Sequence, residues 1–365
     1  MLGQNNALLC RSRGRAREVY NRMTGSYFSR EIITPNAASL AIVAVYLVVG
    51  FLVLGSGRVH LNFGYANGLT MMLLYFLTVV FLYALRVMLL VRPKRLLKYY
   101  REDFPGIGSF AGRFLRGAPL ILALPLFAGM FASWKMAIPE LVGFSWDARL
   151  RDLDLLLHGG VQPWLLLQPI LGHPVVTSFV NGVYGAWFFV MYFTFLYHAF
   201  SLDDQERNTF LISFFLVWIV VGSLMATAMA SAGPCYFDRV VVGGTDGGYQ
   251  ALMTYHERLH EAGWFTPSVS VQEMLWRNYM RAGYMTAGGI SAMPSMHVAC
   301  TALIAASMWT YGLVWRVFGA LFLALIMLGS VHLGWHYAVD AYVGVGVAIG
   351  IFLIVRAVLA RRAGA

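Results

Sequence analysis

The chain has 365 residues, 59% hydrophobic and only 12% charged, with a net charge of +10 and a mean hydropathy of +0.65. A soluble domain averages about 45–50% apolar and about 25% charged residues. The composition therefore excludes a soluble enzyme or a disordered chain and indicates an all-α, polytopic membrane protein. Three cysteines, Cys10, Cys235 and Cys300, form an odd set without framework spacing. The N-terminus is Arg-rich before any apolar run and does not read as a secretory signal peptide.

A membrane-spanning helix needs roughly 20 mostly apolar residues. Eight segments qualify, at 38–56, 69–91, 117–137, 175–199, 209–231, 296–313, 315–333 and 338–358. The third contains Pro119 and Pro125, tolerable where neighbouring helices satisfy the freed carbonyls. Arg11, Arg13, Arg15, Arg17, Arg22 and Arg30 precede the first span, and Arg92, Lys94, Arg95, Lys98, Arg101, Arg113 and Arg116 lie in the connection at 92–116. Eight spans put both groups on one side with Arg207, Arg316, Arg361 and Arg362. The positive-inside rule makes that side cytoplasmic, with both termini there. The expected organisation is a basic segment at 1–37, two added helices and a basic loop at 38–116, a six-helix region at 117–358 and a cytoplasmic tail at 359–365. The basic charge then serves orientation in the bilayer, and no nucleic-acid partner is expected.

The other side receives connections at 57–68, 138–174 and 232–295. Long loops are usually functional. Trp146, Leu150, Leu153, Leu156 and Leu157 recur at near-helical spacing and predict an amphipathic helix on the outer membrane surface. Asp154 and His158, four apart, read as a pair at that interface.

Two strings carry chemistry. Gly288-Gly289-Ile290-Ser291-Ala292-Met293-Pro294-Ser295-Met296-His297 leads into the sixth span, and Ser330-Val331-His332-Leu333-Gly334-Trp335-His336-Tyr337-Ala338-Val339-Asp340 joins the seventh to the eighth. Both belong to the outer face, where ionisable residues near membrane depth read as functional. His336 and Asp340 are four apart on one helix face, so the carboxylate can orient the imidazole. His336 becomes a candidate nucleophile toward phosphorus and His297 the general acid for the leaving alkoxide. Pro294-Ser295 resembles a helix start, with proline at an early position. A helix N-terminus there offers N–H groups to a phosphate, with Ser295 or Ser291 adding a hydroxyl.

These strings resemble the second and third motifs of the type 2 phosphatidic acid phosphatase superfamily, a Pro-Ser-x-His and a His-x-x-x-Asp. The resemblance implies a six-helix catalytic core at 117–358 with outer loops 138–174 and 232–295. It also implies a phosphohistidine on His336, acid catalysis by His297 and orientation by Asp340. It departs from the phosphatase branch at the first motif. Here Ser231-Ala232-Gly233-Pro234-Cys235-Tyr236-Phe237-Asp238-Arg239 lacks the lysine, and Arg239 is the nearby cation. Ser330 stands where the third motif carries an arginine. The Gly-Pro-x-Tyr-Phe string with a reduced third motif is similar to the branch of inositol phosphorylceramide synthase-like and sphingomyelin-synthase-like lipid phosphotransferases. Gly233, Pro234, Arg239, Ser291, Ser295 and Ser330 are accordingly expected to contact substrate.

The implied function is hydrolysis of a lipid-linked phosphate or transfer of a phospho-headgroup to a second lipid or alcohol, at the outer face of the cytoplasmic membrane, with no cofactor. Three other readings compete. His256-Glu257-Arg258-Leu259-His260 matches the zinc-protease string His-Glu-x-x-His, against an ordinary loop helix. His332, His336 and Asp340 have metal-compatible spacing. The whole constellation also fits a polar helix junction in a non-enzymatic transporter. Gly243-Gly244 and Gly247-Gly248 lack the context of a nucleotide fingerprint and mark turns.

Overall fold

The computed structural model describes residues 32–55, 110–241, 247–281 and 289–363, with isolated positions between 70 and 92. The second expected span and the basic connection therefore lie mostly outside the described residues, and the connection at 57–68 wholly so. All described regular structure is helical. The principal elements are α1 (Ala37–Leu54), α2 (Phe110–Val142), α3 (Asp147–Leu157), α4 (Pro163–Leu171), α5 (Pro174–Ala199), α6 (Asp204–Ile219), α7 (Gln250–Glu261), α8 (Pro267–Met280), α9 (Met296–Met308), α10 (Leu313–His332) and α11 (Ala338–Ala363). A π-helical turn at Val220–Met225 carries α6 on to Ala228.

Among the described residues, six helices are long and apolar enough to cross a membrane: Thr34–Leu54, Gly112–Val142, Pro174–Ala199, Asp204–Ala228, Leu313–His332 and Ala338–Arg362. They coincide with six of the eight expected segments, and the chain is a multi-pass membrane protein. The segment expected at 296–313 is shorter than a span. α9 has 13 residues, about 20 Å of helix against a hydrocarbon core of about 30 Å. Its surroundings explain the length. Val298, Ala299, Cys300, Thr301, Ala302, Leu303 and Ile304 are completely buried, and α9 packs against α6, α10 and α11. Small residues permit the close approach. A Cβ on Gly319 of α10 would sit 3.0 Å from the Ala305 Cα, and one on Gly344 of α11 would sit 3.0 Å from the Ser295 carbonyl oxygen.

The two ends of the bundle differ. At one end Arg116 pairs with Asp204 and Arg356 with Glu206. Buried Arg207 donates to the carbonyls of Ala199 and Pro35, which lashes the start of α1 to the α5–α6 turn. The other end is covered by α3, α4, α7 and α8, and there both chemistry-bearing strings emerge.

The 138–174 connection is more than a surface helix. Leu156 and Leu157 are exposed as an amphipathic surface helix requires, but Leu150 is completely buried in a cluster with Trp164, Phe237, Leu252 and Tyr337. The expected Asp154–His158 side-chain pair does not form. The His158 ring contacts the Asp154 backbone carbonyl and the Tyr342 hydroxyl. The Asp154 carboxylate instead accepts the N–H groups of Ala338 and Val339, at 2.8 and 2.9 Å. Those are orphan donors of the first turn of α11, so a residue distant in sequence caps this helix.

Candidate active site

A strap at Ser231–Cys235 holds the two strings side by side. The Ser231 carbonyl accepts the N–H of Ala292 and its hydroxyl accepts that of Met293. On the other side, Cys235 N–H donates to the Gly334 carbonyl. Gly233 lies between with φ of 102°. A Cβ there would meet the Trp335 carbonyl oxygen at 2.7 Å, so both conformation and space call for glycine. Pro234 opens the short helical turn Pro234–Tyr236. Asp147 fixes the strap from outside, accepting from Ala232 N–H, Gly233 N–H and the Tyr337 hydroxyl.

Ser295 is the N-cap of α9, its hydroxyl accepting the Val298 N–H, and its own N–H donates to the Asp340 carbonyl. Pro294 therefore precedes the cap and is not the first helical residue, because the serine takes the capping position. Ser291 is half-buried, with no side-chain hydrogen bond among the described residues. The Ser330 hydroxyl donates to the Met327 carbonyl, while the Ser330 carbonyl accepts the N–H groups of Trp335 and His336. Ser330 thus ties the turn that presents His336.

The His336 Nδ1 lies 2.9 Å from the Ala292 carbonyl and 3.3 Å from the Asp340 carboxylate. A carbonyl only accepts, so Nδ1 carries the proton and Nε2 keeps its lone pair. Asp340 is held in turn by the Tyr337 N–H. Burial, with the charge of Lys135 second, pushes the His336 imidazole down to about 3, so the ring is neutral near pH 7.

The His297 ring lies 6.4 Å from that of His336 between centroids. Aromatic neighbours fix it: Tyr184 stacks at 4.6 Å, Trp187 lies at 4.3 Å and Phe188 meets it edge-on. The Trp187 indole N–H also donates to the His297 carbonyl.

His297, His336, Asp340, Ser291, Ser295, Ser330, Gly233 and Pro234 thus gather around one junction. Arg239 is differently placed. Its guanidinium bonds Glu273 and lies over the Trp276 ring, and none of its described contacts is with the histidines. The His-Glu-x-x-His string forms loop helix α7, where the two rings diverge. His256 is buried with Nε2 on the His332 carbonyl, and His260 contacts Thr266 and Ser270. Among the described residues no three His, Cys, Asp or Glu side chains converge as a metal-ligand set.

Sequence pattern passes over Asp147 and assigns Asp154 to His158, because their actual partners are backbone amides remote in sequence. It also passes over Lys135, although a lone lysine within an apolar run is a recognisable signal.

An all-helical, multi-pass bundle with an imidazole pair and a supporting carboxylate at one end has the architecture of the membrane-embedded lipid phosphatases and phosphotransferases. The chain belongs to the PAP2 superfamily, whose family model matches residues 148–354. Members of that superfamily are phosphatases. The match contains both histidines, Asp340 and the strap, and begins after α2. The chain matches no curated protein and no solved structure.

Proposed function

We propose that this protein is a lipid phosphotransferase that works through a phosphohistidine on His336. The observation that carries the reading is the fixed tautomer of His336, whose Nδ1 proton is held by Ala292 and Asp340 opposite His297. Nε2 of His336 attacks phosphorus as the bond to the leaving oxygen breaks, and His297, protonated in the complex where the phosphate's negative charge offsets its own, gives its proton to that oxygen. An acceptor hydroxyl then attacks the phosphohistidine, its proton passes to His297, and His336 is freed. Asp340 stabilises the cationic ring between the two steps.

Transfer is favoured over hydrolysis by charge. The strings lack the lysine and arginine of the phosphatase branch, and Arg239 is engaged by Glu273. A phosphodiester brings less negative charge than a phosphomonoester and needs fewer cations. The donor is therefore a phosphodiester lipid and the acceptor a lipid or alcohol hydroxyl. Purified protein should consume donor faster as acceptor is added, with the phosphoryl group recovered on the acceptor. Inorganic phosphate from a monoester as sole product at every acceptor concentration would make the enzyme a phosphatase instead.

The site lies at the end of the bundle opposite Arg116, Arg207 and Arg356, which supports an extracytoplasmic active site and cytoplasmic termini. A cysteine replacing exposed Glu261 should react with an impermeant thiol reagent added outside, above the labelling of the parent chain, and one replacing exposed Thr310 should not. The reverse pattern would put the site in the cytoplasm.

A further inference from the structure

The two strings supply no unpaired cation for a phosphate, yet three groups in or beside them have no partner among the described residues. Lys135 lies on α2, inside a membrane-spanning helix, partly buried and with no hydrogen bond or ion pair among the described residues. Its backbone abuts the first string: a Cβ on Gly289 would meet the Lys135 carbonyl at 2.5 Å. Both His297 and His336 lie within its electrostatic reach. The Tyr184 hydroxyl and the Trp335 indole N–H are both buried without a hydrogen-bond partner among the described residues. The Tyr184 ring stacks on His297 and runs parallel to Trp335, 4° apart in plane with centroids at 6.5 Å. Ring substituents lie in the ring plane, so the hydroxyl and the indole N–H sit at the edges of a stack that includes the His297 ring, not on its faces.

Each of these groups is costly alone. A buried donor without an acceptor forfeits its hydration, and an ammonium inside a span is expensive unless something compensates it. One ligand answers all three, because an oxyanion between the histidines accepts from both neutral donors and neutralises the lysine.

We propose that Lys135, Tyr184 and Trp335 form the oxyanion cradle of the enzyme, with Lys135 the substrate-binding cation that takes the place of the missing arginine and lysine. The proposal rests on the reading of the site as a phosphoryl-transfer centre. It adds a residue from α2, which precedes the family-matched region. A single ammonium with two neutral donors also matches a substrate phosphate of one negative charge, a diester.

Orthovanadate is a suitable probe, with its binding to the full-length protein in detergent measured by calorimetry and by inhibition of turnover. Lys135→Met should weaken binding by about 10- to 100-fold, the range for a hydrogen bond to a charged group. Lys135→Arg should recover most of the loss. Tyr184→Phe keeps the stack on His297 and deletes only the hydroxyl, so it stays informative if a lysine variant does not fold. It should weaken binding about three- to tenfold. Wild-type affinity in both Lys135→Met and Tyr184→Phe would overturn the cradle while leaving the phosphoryl-transfer reading standing. No vanadate binding by the wild-type protein would overturn both.

Discussion

Two pairs of facing histidines lie at the same end of this molecule, and only one has the surroundings of the proposed chemistry. His297 and His336 have centroids 6.4 Å apart, and His256 and His332 are closer, at 5.3 Å. Proximity of imidazoles therefore does not define the site. In the closer pair, His256 Nε2 donates to the His332 carbonyl, and His332 Nε2 contacts Thr177, whose hydroxyl also meets Tyr255. Those contacts tie loop helix α7 and α5 to the end of α10, and among the described residues neither ring has a carboxylate partner. In the wider pair a carboxylate backs His336, aromatic rings hold His297, and a lysine charge reaches both. The gap between the rings is where the proposed mechanism puts the phosphorus.

The sharpest way to break this contrast is to truncate one ring from each pair. His336→Ala should lower turnover by at least about 10⁴-fold, as loss of a nucleophile does. Asp340→Asn should retain somewhat more activity, because an orienting group contributes less than the group it serves. His256→Ala should stay within a few-fold of wild type. Comparable losses in His336→Ala and His256→Ala, read as initial rates on folded protein, would erase the distinction.

A smaller effect is expected where Asp154 of α3 caps α11. Asp154→Ala leaves two N–H groups of α11 without their acceptor and should cost about 2 kcal/mol, the upper range for loss of a helix cap. Thermal unfolding in detergent reads this loss directly. Turnover should fall as well, since the capped turn carries Asp340. An unchanged melting midpoint would mean that Asp154 caps nothing of consequence.

The smallest effect distinguishes the structural pair by pH. Burial holds the His256 imidazole below the ordinary histidine range. Below about pH 6.5 the unfolded chain binds a proton at this residue that the folded protein does not. Stability from this group is thus fully present above that pH and declines as pH falls toward the folded value. His256→Gln keeps a donor for the His332 carbonyl and removes the titration. The wild-type protein should lose more stability than this variant between pH 7 and pH 5, and parallel losses would show that His256 is not held neutral.

Much of this arrangement is legible in the sequence, for physical reasons. Apolar runs near 20 residues mark six helices that meet lipid, because the bilayer imposes length and composition together. α9 escapes that rule in length, since other helices surround it and its Ala299, Ala302 and Ala305 face protein. His336 and Asp340 are legible because helical spacing brings neighbours in sequence together. Asp147 and Asp154 are not, since their ligands are amides 85 to 185 positions away and an amide leaves no mark in composition. Pro294 shows a finer limit: helix-start residues are visible in the string, but which of them occupies the cap is settled by the serine's bond to Val298.

The strap at Ser231–Cys235 contributes none of the reacting groups, yet it sets the distance between them. It works like the pivot of a pair of tongs, with one jaw carrying His297 and the other His336. A methyl group at Gly233 would press on the Trp335 carbonyl at 2.7 Å and on the Ala292 side chain at 3.1 Å, one on each jaw. Ala292 is also the residue whose carbonyl holds the His336 proton. Gly233→Ala would therefore spread the jaws and loosen the nucleophile with a single added carbon. A position that offers substrate no side chain is thus among the least replaceable in the proposed catalytic apparatus.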